Sequence, residues 1–218
     1  MKKRIALLAL SLATATGTAG AGSLAVSAKG STLGFGMELT RPLTPAFNLR
    51  AGFNKFSYSL TQTIDQVDYA ATLDLQSFSL LGDWHPFHGG LRLTGGVLVN
   101  GNELRGTATP SANVNFTIGD TDYSSKDITA NATISFNKLS PYLGIGYDRV
   151  SRHGRGLGLT ADVGVVFQGS PKVDFAVTGP DALSVLTTDI QAEVDQIEQD
   201  ISDYKVYPVV AFGVIYQF

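Results

Sequence analysis

The chain has 218 residues, a formal net charge of -3 and no cysteine. The missing cysteines exclude a disulfide framework and thiol catalysis, and the slightly acidic balance argues against a nucleic-acid partner. The chain contains 24 glycines, 12 phenylalanines and 8 tyrosines but only 16% charged residues. This weakly charged composition, rich in glycine and aromatic residues, differs from that of an average soluble domain.

The amino terminus has the features of an export signal. Lys2, Lys3 and Arg4 precede an apolar run over residues 5–15, and small residues follow through Ala21. This order predicts a cleaved signal peptide at 1–21 and one mature domain at 22–218. The run is shorter than the roughly 20 residues that a transmembrane helix needs.

Large apolar residues alternate with glycine or polar residues through most of the mature chain. This pattern is typical of membrane strands that have one face in lipid and one in a lumen. It is clearest over residues 33–40, 47–54, 91–99, 139–147 and 157–167. The apolar positions change phase after Lys55, which predicts a β-bulge, and they change phase a second time between Leu75 and Phe78.

The connections between these strands alternate in length. Short turns are expected at 41–46, 85–90 and 151–156, and longer loops at 61–68, 105–137 and 178–204, with short strands possible at 113–118 and 132–136.

Outer-membrane barrels have short periplasmic turns, long external loops and both termini in the periplasm. An even strand count then requires an eighth strand before Leu33. Leu24, Val26 and Ala28 alternate and could supply it, with a bend at 29–31. We therefore predict an all-β, antiparallel up-and-down transmembrane barrel of about eight strands. The alternative is one long strand over 24–40.

The stretch 180–204 has a helical rather than a strand pattern. Apolar residues spaced three and four apart form one stripe, and the other faces are acidic. The stripe consists of Leu183, Leu186, Ile190, Val194, Ile197, Ile201 and Tyr204. We expect an amphipathic helix at about 181–203 in an external loop. It could pack on the barrel rim, bind a partner or cations, or form a lid.

Inward positions near the short turns carry opposite charges. Glu38 with Arg50 and Asp83 with Arg92 are predicted to form cross-strand ion pairs in the lumen. Asp74 and Asp162 would add further charge there. Small barrels are just wide enough to be filled by side chains. We therefore favour a structural plug, with a narrow charged pore as the alternative.

The three histidines do not predict an active site. His85 and His88 lie on a proline-containing turn without a third ligand at suitable spacing. His153 lies between two arginines on another turn. Neither region has a serine and a carboxylate arranged for nucleophilic catalysis. We expect no catalytic, cofactor-binding or metal-binding residue and no cofactor.

Several motifs resemble those of the small outer-membrane β-barrel proteins of Gram-negative bacteria. They are the terminal Tyr216-x-Phe218, Asp83-Trp-His-Pro-Phe87, Pro141-Tyr-Leu-Gly-Ile-Gly146 and Phe167-Gln-Gly-Ser-Pro-Lys172. The resemblance implies residence in the outer membrane, contact with its lipid and lipopolysaccharide, and recognition by the outer-membrane assembly machinery. The assembly signal would be the terminal strand, through Phe212, Val214, Tyr216 and Phe218.

The leading hypothesis is a non-enzymatic outer-membrane barrel with a charge-filled lumen and a structural or surface-interaction role. One alternative is a narrow porin-like channel or conduit for small solutes. A second, disfavoured alternative is a lipid-modifying enzyme, because no Ser, His and acid set is present. A soluble periplasmic sandwich is the remaining competitor.

Overall fold

The computed structural model describes residues 24–64, 67–110, 115–118, 121–124, 129–150, 156–178 and 187–218. The predicted signal peptide, 1–21, lies outside these residues. In the described part of the chain the elements are, in order, β1 (Ala25–Ser31), β2 (Gly34–Pro42), β3 (Phe47–Ile64), β4 (Val67–Trp84), β5 (Leu91–Asn100), β6 (Glu103–Pro110), β7 (Asn115–Ile118), β8 (Thr121–Ser124), β9 (Thr129–Ser135), β10 (Leu139–Val150), β11 (Gly156–Phe167), β12 (Lys172–Thr178), α1 (Thr187–Asp200) and β13 (Val206–Gln217).

Eight of these strands close an antiparallel barrel in the order β1-β2-β3-β4-β5-β10-β11-β13. The first strand completes the closure, since Ala28 lies opposite Met37 of β2 on one side and Val214 of β13 on the other. The predicted eight-stranded barrel and its weak first strand are confirmed. The bend expected at 29–31 is wrong, because β1 continues to Ser31.

Lipid-facing positions carry large apolar side chains, which are exposed in the isolated barrel. The terminal strand shows the pattern: Phe212 is 65% exposed, whereas its neighbour Ala211 points inward and is 5% exposed. The same alternation on the other barrel strands exposes Phe35, Met37, Leu49, Phe53, Phe78, Leu80, Trp84, Leu93, Val97, Leu143, Ile145, Leu157, Leu159 and Val163. This continuous apolar band is what a barrel needs in order to face hydrocarbon.

The long strands β3 and β4 pair without a bulge. One residue faces one residue from Phe47 opposite Trp84 to Ile64 opposite Val67. The bulge predicted after Lys55 is therefore wrong, and the second phase change, between 75 and 78, involves no bulge either. The apolar residues change face because the surroundings change along the strand, while the backbone keeps its alternation.

Five strands continue beyond the closed barrel. The outward half of β4 pairs with β6, β6 with β9, and β9 with β12. We call β6, β9, β12 and residues 55–64 and 67–76 the extracellular sheet. Much of the described chain at 61–68 and 105–137 is thus strand, and the prediction of long loops there is wrong. The short strands considered at 113–118 and 132–136 are present, as β7 and β9.

The chain passes from the barrel to this sheet through two strand interruptions, and the two differ in whether the strand register is kept. Between β5 and β6 the register against β4 is unchanged, since Asn100 faces Ser77 and Glu103 faces Asp74. Between β11 and β12 the register shifts by one residue at 169–171, where Gly169 has a φ of 74°. The shift turns Val173 and Phe175 to the lumen side.

Helix α1 confirms the predicted helix over Thr187–Asp200. Residues 181–186 lie outside the described part of the chain, and 201–203 form a turn. Val194 of its apolar stripe is buried, and the Oε1 atom of Glu198 accepts a hydrogen bond of 2.8 Å from the backbone N–H of Val173. The helix therefore packs on β12. In the described ranges no helix is long and apolar enough to cross a membrane.

Candidate functional site

Seven charged side chains meet inside the barrel, each from a different strand. We call this set the lumen cluster: Lys29, Glu38, Arg50, Asp83, Arg92, Asp148 and Asp162. The eighth strand contributes Gly213, where an added Cβ would come within 2.7 Å of the Lys29 side chain. Alternation brings one inward position per strand to this level, so the eight strands together build the cluster.

Asp162 is the centre of the lumen cluster. Its carboxylate lies 2.5 Å from Lys29 Nζ, 2.5 Å from Arg92 Nη2 and 3.3 Å from Arg50 Nη1. All four side chains are at most 5% exposed. Lone charges at such depth would be strongly unfavourable, so each charge depends on its neighbours.

The remaining carboxylates surround the two guanidinium groups. Asp83 lies 3.1 Å from Arg50 Nη2 and 3.5 Å from Arg92 Nε, and it accepts a hydrogen bond of 2.6 Å from the Thr94 hydroxyl. Asp148 pairs with Arg92 Nη1. Three cations and four carboxylates thus share one network, in which every cation contacts at least two carboxylates.

The structure brings together most of the residues predicted for the lumen. Glu38 Oε2 lies 3.2 Å from Arg50 Nη1, although Glu38 faces Gly52 in the strand register, so this pair is diagonal. Asp83 contacts Arg92, again diagonally, since Asp83 faces Thr94. Both pairs belong to the larger network around Asp162.

Asp74 does not join the lumen cluster, and its predicted lumen position is wrong. Because β3 and β4 pair without a bulge, Asp74 lies on the opposite face from Asp83. Its carboxylate accepts hydrogen bonds from the Ser57 hydroxyl at 2.6 Å and from Arg105 Nη1 at 3.1 Å. It belongs to the outer face of the extracellular sheet.

Two members of the lumen cluster, Lys29 and Asp148, are not among the residues that the sequence predicts for the lumen. Lys29 lies between Ala28 and Gly30, where the apolar alternation is too weak to assign a face with certainty from the sequence. The available signal was a single charge on the required eighth strand. A charge on a short membrane strand points to the lumen, since lipid would not accept it.

Glycines make room for the large lumen side chains. An added Cβ at Gly146 would lie 2.6 Å from both Arg92 Cζ and Asp162 Oδ1. Cβ atoms at Gly144 and Gly164 would lie 2.5 and 2.4 Å from the Tyr142 hydroxyl oxygen. The missing side chains of these glycines therefore leave room for the lumen cluster and for Tyr142.

An apolar layer lies beside the lumen cluster. It consists of Leu33, Leu81, Leu98, Tyr142, Val166 and Val209, with Tyr207 packed against it. Leu33 reaches this layer from the turn between β1 and β2, and the turn is held by a 2.7 Å hydrogen bond from the Tyr207 hydroxyl to the Thr32 carbonyl. The cavity left between the two layers is about 30 Å³, roughly the volume of one water molecule.

The extracellular sheet has one polar and one apolar face. Its outer face carries mostly hydroxyl, amide and charged side chains: Ser57, Ser59, Thr61, Thr63, Asp68, Thr72, Asp74, Glu103, Arg105, Thr107, Asn131, Thr133, Ser135, Lys172 and Asp174. The opposite face continues the lumen side of the barrel. We call it the inner apolar face, which includes the polar Gln62 beside Phe56, Tyr58, Leu60, Ile64, Tyr69, Ala71, Leu73, Leu75, Leu104, Gly106, Ala108, Ala130, Ala132, Ile134, Val173 and Phe175.

The polarity of both faces thus reverses where the barrel ends. Below this level the outside is apolar and the lumen charged, and above it the outside is polar and the inside apolar. On β3 the change occurs between Phe53, the last lipid-facing residue, and Phe56, the first residue of the inner apolar face. This level marks the outer boundary of the membrane, because the outer face of a barrel strand carries apolar side chains in lipid and polar side chains in water.

The histidine turn is held by backbone contacts in the described structure. The backbone N–H of His85 donates a 2.8 Å hydrogen bond to the Ala46 carbonyl, and His88 adopts a φ of 52°. Within the described ranges no three His, Cys, Asp or Glu side chains are grouped to hold a metal ion. His153 lies outside the described residues.

The closed antiparallel barrel with its apolar outer band defines an integral outer-membrane β-barrel protein. No protein-family model matches the chain, and no curated protein matches it. Among solved structures, CarO of Acinetobacter baumannii is 23% identical, with a TM-score of 0.57, 90% of this chain covered and 98% of that one. CarO2 of the same organism is 22% identical, with a TM-score of 0.59 and the same coverage. Likeness at this identity shows a shared fold.

Proposed function

We propose that the protein is a non-enzymatic outer-membrane barrel whose lumen is plugged and whose interactions occur at the extracellular sheet. The observation that carries this proposal is the pair of layers in the lumen. The lumen cluster spans the barrel with side chains from seven strands, and the apolar layer beside it leaves a cavity of about 30 Å³. Ions or nutrients would need a wider passage.

The chemistry of the lumen cluster also favours a plug over a pore. Charged pores present rings of one sign to a passing ion. Here positive and negative groups contact one another at 2.5–3.5 Å, so they satisfy each other rather than a solute. Such pairing stabilises one closed arrangement.

Solute uptake into vesicles tests the plug against the channel alternative. The purified barrel is reconstituted into liposomes, and uptake of small sugars and amino acids is followed by swelling. We expect the rate of protein-free liposomes, with a general porin as the positive control. A swelling rate that rises in proportion to the barrel content would overturn the plug.

A role in lipid modification has little support. An enzyme of this kind would need a serine, a histidine and an acid together at the membrane rim. His85 and His88 lie on a turn whose polar contacts in the described structure are made by the backbone. We expect unchanged lipid A in a deletion strain, measured by mass spectrometry; a changed acylation pattern would support the enzyme.

The extracellular sheet supports a surface-interaction role. It stands beyond the membrane boundary and leaves large apolar side chains uncovered among the described residues, from 36% exposed at Phe56 to 59% at Tyr58. Contiguous exposed apolar surface is uncommon on soluble parts of proteins and marks sites of interaction. Outer-membrane lipid and lipopolysaccharide remain the expected surroundings of the barrel below it.

A further inference from the structure

The inner apolar face contains a groove that the plug does not explain. The groove has a volume of about 330 Å³, and no charged residue lines it. Its floor is a row of small residues in register across three strands, Ala71, Gly106 and Ala132. Leu60 and Phe175 stand at the two ends of this row.

Larger side chains border the floor on the side nearer the membrane. The next row toward the barrel consists of Tyr58, Leu73, Leu104, Ile134 and Val173. Tyr69 lies on the other side of the floor and also lines the groove. At Gly106 an added Cβ would meet only the Ala132 carbonyl oxygen, at 4.0 Å, so the floor there is open.

The backbone of the floor decides which chemistry fits. Ala71, Gly106 and Ala132 lie on strands paired on both sides, so their main-chain groups are used by the ladder. An extended peptide laid on this surface would find no free main-chain partner, and its own amide groups would lose water without replacement. A hydrocarbon loses nothing by leaving water and gains contact with the floor.

One side of the inner apolar face has no neighbouring strand among the described residues. Strand β2 begins at Gly34, next to Phe56, whose Cβ lies 2.7 Å from the position of an added Gly34 Cβ. Beyond Lys55 no described strand pairs with the free side of β3. The inner apolar face is therefore open to the outside medium at this edge of the described sheet, above the level where the lipid-facing band ends at Phe35 and Phe53.

We propose that this groove binds a small uncharged hydrophobic molecule taken up from the outside medium. Ligand pockets typically hold about 300–1,000 Å³, and a closed cavity of ~150 Å³ already takes benzene. The groove of about 330 Å³ therefore suits a molecule with two rings or a short alkyl chain. The inference rests on the proposed surface-interaction role and names the ligand class for it.

Cysteine protection tests the proposal directly, because the chain has no cysteine of its own. The full barrel carrying Ala132→Cys is placed in lipid nanodiscs, and its alkylation by a maleimide is timed with and without N-phenyl-1-naphthylamine. We expect saturable protection: at about ten times the probe's Kd, the alkylation rate falls roughly tenfold. Equal rates with and without the probe would overturn the proposal.

Two matched variants make the result specific. Thr133→Cys, on the outer face of the same strand, should show no protection by the probe. Adding Gly106→Leu to Ala132→Cys fills the floor and should abolish the protection while the heat-dependent gel shift of the folded barrel stays. Equal protection at both cysteines, or protection that survives Gly106→Leu, would mean that the probe binds elsewhere.

Two other occupants of the groove, membrane lipid and a second copy of the chain, would give different results in the alkylation experiment. If nanodisc lipid alone blocks Ala132→Cys, the face is covered by membrane lipid. If the block grows with protein concentration, a second copy covers it. Either result overturns the choice of a solute from the medium. Liposome swelling is measured separately, so a leaking lumen would refute the plug without altering this outcome.

Discussion

Replacing Lys29 by methionine tests whether the lumen cluster stabilises the barrel. The Nζ atom of Lys29 lies 2.6 Å from Glu38 and 2.5 Å from Asp162, and its side chain is 4% exposed. Methionine keeps the apolar stem but leaves four carboxylates with two guanidinium groups. Breaking a buried ion pair by removing one partner costs about 3–5 kcal/mol, and we expect a loss of free energy of unfolding in that range.

Lys55→Met is the matched control. Lys55 is exposed, and its Nζ atom makes one 3.4 Å hydrogen bond to Gln76. Surface substitutions of this kind change stability by about 0.5 kcal/mol or less. Both variants are unfolded by urea in lipid vesicles and followed by the fluorescence of Trp84, the chain's one tryptophan, which faces lipid.

A stabilising lumen cluster requires that Lys29→Met lower the free energy of unfolding more than Lys55→Met does. If Lys29→Met lies within about 1 kcal/mol of Lys55→Met, the cluster is not a stabilising network. The double variant Lys29→Met/Asp162→Asn gives a second check, because contacting groups couple by about 0.5–3 kcal/mol. Additive losses would contradict the pairing between these two side chains.

Three further predictions concern other parts of the barrel. Gly164→Ala should destabilise the barrel, since its Cβ would lie 2.4 Å from the Tyr142 hydroxyl oxygen, whereas Gly106→Ala should be neutral; equal urea midpoints would contradict this. Deleting Phe218 should lower the yield of folded, heat-modifiable protein in outer-membrane fractions, and normal assembly would refute the terminal signal. Val194→Asp should release α1 from β12 and speed proteolysis at the helix without unfolding the barrel; unchanged cleavage would show that the packing is unimportant.

Alternation was enough to predict the barrel because lipid and lumen impose opposite demands on neighbouring residues. The terminal strand is the clearest case, with Phe212 outward and Ala211 inward. The eighth strand was predicted from the alternation of short and long connections, which requires an even number of strands, rather than from its own residues. That is why Lys29, on this weak strand, was missed although it joins two carboxylates of the cluster.

The extracellular sheet could not be predicted because its polarity runs opposite to that of the barrel. A phase change in the sequence at Lys55 has the same appearance whether the backbone bulges or the solvent changes from lipid to water. The unbroken pairing of Phe56 with Leu75 identifies the second cause. The same ambiguity placed Asp74 in the lumen, since a bulge would have turned it inward.

Single-channel recording tests the central claim, the closed lumen, most directly. The wild-type barrel is inserted into a planar bilayer at moderate salt, and insertion is verified beforehand by the heat-dependent gel shift of the same preparation. The proposed plug rests on contacts of 2.5–3.5 Å among the charged side chains and on the small cavity of about 30 Å³ beside them. The account predicts no stable conductance step, and a reproducible open level that scales with salt would contradict it.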